Sequence, residues 1–188
     1  MKIILASKSP RRRELLGRIT EKFDILVADA DETLPVGMHP SVGVELLARR
    51  KGEAVLPLAG DDALVISSDT LVELDGVALG KPQGEDDAKR MLSTLSGREH
   101  NVHTGVAVHY KGKVYSGTQT SKVRFKEMTD SEIIDYIATG EPMDKAGAYG
   151  IQGIGGKFVL GFDGEFEGIM GLSIKLTEEL IAKAKRDE

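Results

Sequence analysis

The chain has 188 residues, 40% of them hydrophobic and 29% charged, with a formal net charge of −5 and no cysteine. These values belong to a globular domain large enough to bury a sizeable core, and they exclude disulfides, thiolate-bound zinc and iron–sulfur clusters. An acidic balance with 5% aromatic residues and no tryptophan lacks the basic footprint and stacking rings of a nucleic-acid-binding surface. No apolar run reaches the roughly 18 residues that span a bilayer.

Residues 2–6 read as a short buried strand ending at Ser7. This apolar start is too short for a signal peptide and runs straight into arginines, so a cytoplasmic protein is expected. Ser9 offers an N-cap and Pro10 the favoured first helical position, opening a helix to Gly17. Residues 23–28 predict a strand, followed by the acidic loop Asp29-Ala30-Asp31-Glu32. Residues 40–58 have a helical period, with Val44, Leu47, Ala48, Val55 and Leu58 on one stripe and Lys51 among them. Residues 63–66 predict a buried strand, and residues 71–74 and 77–79 a hairpin around Asp75-Gly76. A helix follows over 85–95, then two strands, 101–110 and 113–125. His100 and His103 point to opposite faces of a strand, so zinc is not expected. Thr129-Asp130-Ser131-Glu132 is a capping box for a helix to Thr139. After a glycine-rich stretch, residues 157–160 and 166–169 predict short strands, and a last helix starts at Leu172. With no repeat and no linker, the chain reads as one domain, residues 1–188, of mixed α and β structure.

Four places carry chemistry. The run from Gly140 to Gly153 has glycines at 147, 150 and 153, a density no regular element tolerates. It is either a surface connection or a backbone that must approach something closely, with Asp144, Lys145, Tyr149 and Gln152 as its polar side chains. Ser7-Lys8-Ser9-Pro10-Arg11-Arg12 lies at a strand-to-helix junction. There free amides, hydroxyls and guanidinium forks suit phosphate, although a capped surface helix reads the same way. Asp69 follows a buried apolar run, as a turn residue or as a catalytic carboxylate. Lys51 either lays its stem along the core edge or points into a cleft, while Pro82 fixes the backbone that aims Lys81. Asp31 and Glu32 are either solvated or close to a divalent cation.

Together these stretches resemble the Maf family, nucleotide pyrophosphatases once described as septum-formation inhibitors. The motifs that carry the likeness are Ser7-x-Ser9-Pro10-Arg11-Arg12, Ser68-Asp69-Thr70, Gly80-Lys81-Pro82, Leu95-Ser96-Gly97-Arg98 with His103-Thr104-Gly105-Val106, and Gly140 through Gly153. The resemblance covers residues 3–182. It implies an α/β fold like the inosine-triphosphate pyrophosphatases: a mixed twisted sheet with flanking helices, two lobes around a deep cleft, and often a homodimer. It also implies divalent-metal-dependent (Mg or Mn) hydrolysis of a nucleoside triphosphate to the monophosphate and pyrophosphate. Asp69 then corresponds to the general base, and Arg11, Thr70 and Gln152 to substrate-selecting positions. Ser7, Arg12, Lys51 and Lys81 match phosphate-facing positions, and Glu32 an acidic position near the metal. The glutamine at 152 is similar to the branch acting on dTTP, UTP and modified pyrimidine nucleotides, whereas a sister branch acting on methylated guanine nucleotides carries glutamate. The rival expectation is a nucleotide-binding regulator of cell division with little turnover. The chain departs from the family at Gly52, where relatives usually carry alanine, and a glycine within a helix is expected to cost up to about 1 kcal/mol.

Overall fold

A computed structural model describes residues 1–187. Its centre is a seven-stranded mixed sheet in the order β2-β1-β3-β5-β6-β7, with β4 paired to β3. The strands are β1 (Lys2–Leu5), β2 (Asp24–Ile25), β3 (Ala63–Leu74), β4 (Val77–Leu79), β5 (Glu99–Tyr110), β6 (Lys113–Phe125) and β7 (Val159–Asp163). β1 pairs in parallel with β2 and β3, and all other pairs are antiparallel. The helices are α1 (Pro10–Gly17), α2 (Pro40–Ala59), α3 (Glu85–Leu95), α4 (Asp130–Ala138), α5 (Phe166–Met170) and α6 (Ile174–Arg186). Among the described residues, no helix is long and apolar enough to cross a membrane.

One detail of strand pairing creates the site. β1 reaches only to Ile66 of β3, and β4 ends opposite Val72. Between these points β3 has a strand partner on its β5 side alone. Residues 69–71 are accordingly the only half-buried part of an otherwise buried strand. The gap divides the apolar packing as well. On one side, Val72, Leu79, Leu92, Leu95, Phe125 and Phe158 pack with α3 and α4. On the other, Leu5, Leu16, Leu64, Ile66, Val108 and Leu180 pack around α1 and α6. Strand alternation puts Ser68, Thr70 and Thr104 on the same sheet face, between these two cores. The opposite face is covered by α2, with Val55 against Ile4 and Val65.

Several elements differ from the sequence expectation. Residues 63–66 and 71–74 form one strand of 12 residues. The polar run between them does not break it, because its hydroxyls find buried acceptors: Ser67 Oγ donates to the Ala48 carbonyl at 2.6 Å and Ser68 Oγ to that of Gly171 at 2.9 Å. Over 23–28 the strand shrinks to Asp24–Ile25, because its partner β1 ends at Leu5. Residues 154–158 form a 3-10 turn before β7 begins. Residues 166–169 belong to helix α5, a short apolar run whose period alone cannot distinguish helix from strand. The last helix starts at Ile174 rather than at Leu172, because Ser173 caps it by accepting from the Leu176 amide. Leu58 is exposed, and Ala59 takes its place on the buried stripe of α2.

Candidate active site

The gap in β3 opens into a cleft of about 970 Å³. Six cationic side chains line it (Lys8, Arg11, Arg12, Lys51, Lys81 and Lys145) against four acidic ones, in a chain whose net charge is −5. That local excess suits a polyanion.

The chemistry concentrates at Asp69. Its Oδ1 accepts from Lys51 Nζ at 2.7 Å and lies 3.9 Å from Arg12 Nη2. The same Lys51 ammonium reaches Glu32 Oε1 at 2.9 Å. Two carboxylates from distant parts of the chain therefore converge on one cation. The hydrogen bond from Lys51 is the main reason the Glu32 pKa lies below its usual value, with Lys81 and Arg12 adding to it. Arg12 is held from behind, its Nε donating to the Gly171 carbonyl at 2.8 Å and its Nη2 to Thr70 Oγ1 at 3.4 Å. Burial lowers its pKa, and Asp69 works in the opposite direction.

Of the residues singled out from sequence, Arg11, Arg12, Glu32, Lys51, Asp69, Thr70, Lys81 and Gln152 all line the cleft. Ser7 does not. It is buried behind the wall, where its Oγ accepts from the Ser9 amide at 3.2 Å and braces the loop entering α1. Ser9 caps the helix as expected, accepting from the Arg12 amide. Gln152 is exposed on the wall made by the glycine-rich segment. Three other polar side chains of that segment are engaged within the protein. Tyr149 turns its hydroxyl inward to His100 Nε2 at 2.7 Å, and Lys145 Nζ is shared between Asp144 Oδ1 at 2.7 Å and the Glu141 carbonyl at 2.9 Å.

The segment's glycines also gain a reason. The Glu141 carboxylate accepts from the Ile154 amide at 2.8 Å, the Gly155 amide at 3.0 Å and Tyr136 Oη at 2.8 Å. The Tyr136 hydroxyl in turn accepts from the Gly150 amide at 3.2 Å. A Cβ at Gly153 would strike the Glu141 carboxylate, and one at Gly155 the Tyr136 hydroxyl. The close approach is thus to the protein's own side chains, which bracket the loop that presents Gln152. Burial pushes the Glu141 pKa up, but the two amides and the hydroxyl more than offset it and leave it below its ordinary value.

Glu141 and Thr104 lie inside the quoted motifs, yet nothing in the sequence showed what they touch. Arg50 carried no signal at all. Its Nη1 donates to the carbonyls of Asp31 at 3.2 Å and Thr33 at 2.6 Å, clasping the backbone on both sides of Glu32.

A family model described as Maf-like protein matches residues 2–184. The chain belongs to this family. It is 44% identical over 182 residues to the dTTP/UTP pyrophosphatase of Vibrio cholerae, a match covering 97% of each chain. To the dTTP/UTP pyrophosphatase of Moorella thermoacetica it is 47% identical over 184 residues, covering 96% of this chain and 94% of that one. Among solved structures, the Staphylococcus aureus Ham1 protein shares the fold with a TM-score of 0.50 at 16% identity, over 66% of this chain and 72% of the other.

Proposed function

We propose that this Maf-family chain is a nucleoside triphosphate pyrophosphatase that hydrolyses dTTP, UTP and modified pyrimidine nucleotides to the monophosphate and pyrophosphate. The observation that carries this reading is Asp69, a carboxylate at the gap of the sheet among Arg12, Lys51 and Lys81. On its own, a carboxylate beside the phosphates repels a bound triphosphate. A hydrolase needs such a group to orient and deprotonate the water that attacks the α-phosphorus. Arg12, Lys51 and Lys81 bind the phosphates and stabilise charge on the departing pyrophosphate. Ser7 supports the loop that carries Arg11 and Arg12. Arg11, Thr70 and Gln152 select the substrate.

A divalent cation, Mg or Mn, fits the donor set. Glu32 and Asp69, both paired with Lys51 Nζ, would hold it through hard carboxylate oxygens, since magnesium takes one or two carboxylates together with waters and phosphate oxygens. When bound, the ion neutralises triphosphate charge and polarises the reacting phosphoryl group. Free nucleotides as substrate accord with a cytoplasmic setting, and a homodimer accords with the family resemblance.

A panel of canonical and modified nucleoside triphosphates with pyrophosphate detection tests this function. The expected result is turnover of UTP and dTTP that falls on the order of 100-fold or more in Asp69→Asn, with nucleotide binding retained. Binding without turnover in the unaltered protein would support a nucleotide-binding regulator of cell division instead.

A further inference from the structure

The hydroxyls beneath the cleft form a chain whose hydrogen directions are determined. Thr104 Oγ1 lies 2.7 Å from the Gly168 carbonyl, which can only accept, so the single hydroxyl hydrogen of Thr104 is committed there. Thr70 Oγ1 lies 3.1 Å from Thr104 Oγ1, and it must therefore be the donor in that pair. With its hydrogen directed at Thr104, Thr70 keeps its lone pairs for Arg12, whose Nη2 donates to it. The Gly171 carbonyl fixes the other side of the guanidinium, accepting from Arg12 Nε and Ser68 Oγ. Two of the five guanidinium hydrogens are thereby anchored, and with Nη2 also 3.9 Å from Asp69 Oδ1, the Nη1 pair is left for an anion in the cleft.

Packing alone does not account for the threonine at 104. It is fully buried on β5 between Val102 and Val106, which share its sheet face and belong to the two apolar cores. Valine has nearly the same shape, so what threonine adds there is its hydroxyl, which donates to the Gly168 carbonyl and accepts from Thr70. We propose that Thr104 is a positioning residue of the triphosphate site: by setting the hydrogen direction of Thr70 it holds Arg12 in the orientation that meets phosphate. This rests on the reading of Arg12 as a phosphate contact.

The test is a double-mutant cycle on kcat/KM for UTP with Thr104→Val, Arg12→Ala and the combination, and with Thr104→Ser as the conservative variant. Thr104→Val is expected to lower kcat/KM by about 10-fold, the scale of one misdirected buried hydrogen bond. Thr104→Ser, which keeps the hydroxyl, should stay near the unaltered value. In the Arg12→Ala background, Thr104→Val should change little more, because coupled groups lose their effect together. Losses that multiply in the double variant would show a general structural role and overturn the proposal, as would full activity in Thr104→Val. Arg12→Ala alone tests the underlying reading: full activity there removes Arg12 from phosphate binding and takes the proposal with it. If Thr104→Val does not fold, Thr104→Ala enters the same cycle.

Discussion

Gly52 of α2 sits directly against His109 of β5. A Cβ at residue 52 would overlap the His109 imidazole and come within 2.7 Å of Ser67 Oγ. The sequence expectation counts Gly52 only as a helix-weakening departure, but the glycine makes room for a buried histidine next to the position that carries Lys51. Gly52→Ala should therefore destabilise the protein despite alanine's better helix propensity, by about 1–3 kcal/mol from overpacking. His109→Ala opens the space, and combining the two should recover part of the loss. Chemical denaturation of the four forms measures the coupling, and additive effects would show that the two side chains do not compete for one volume.

The Glu141 bracket predicts the behaviour of the glycine-rich wall. Glutamine has one acceptor oxygen where Glu141 uses both of its own, so Glu141→Gln sets an NH₂ group against at least one backbone amide. The loss of a half-exposed hydrogen bond to a carboxylate, about 1 kcal/mol, should speed hydrogen exchange at Ile154 and Gly155 and raise KM for UTP severalfold. Exchange unchanged at both amides would show that the loop is held by other contacts.

Base selection is expected to follow the chemistry of residue 152. A carboxamide donates and accepts, matching the carbonyl and N3–H of uracil or thymine, whereas a carboxylate accepts only and suits the two donors of a guanine edge. Gln152→Glu should weaken UTP and dTTP hydrolysis and shift preference towards guanine nucleotides by about 1–3 kcal/mol. The ratio of kcat/KM for UTP and a guanine triphosphate in both forms decides it. A constant ratio would move selection to Arg11 and Thr70.

Acid sensitivity should trace in part to His100. Burial lowers its pKa to about 4 from 6.5, so between these values the unfolded chain binds a proton that the folded protein refuses. Stability then rises with pH through this window and is lost as pH falls from about 6.5 to about 4. The contribution is about 3 kcal/mol at full depth. His100→Gln, which can still hydrogen-bond the Tyr149 hydroxyl but does not titrate, should flatten the dependence. Identical slopes for both proteins in pH-resolved denaturation would exclude His100 as a source.

Signals confined to a few neighbouring residues were legible in the sequence. The Ser9 cap, the Thr129–Glu132 capping box and the amphipathic α3 all form as their residue patterns require, because a cap or a stripe is satisfied within its own turns. The roles of Asp69, Lys51 and Arg12 were legible only through the family resemblance of their motifs, since the residues alone left structural readings open. What the chain order could not show is where one strand's partner stops. The cleft exists because β1 ends opposite Ile66 and the β4 hairpin reaches back only to Val72, and the first of these is a matter of pairing between segments tens of residues apart. The same holds for the roles of Thr104, Glu141, Arg50 and Gly52. Each is defined by a contact with a distant segment or across a turn, and only the folded packing of two apolar cores against one sheet brings those partners together.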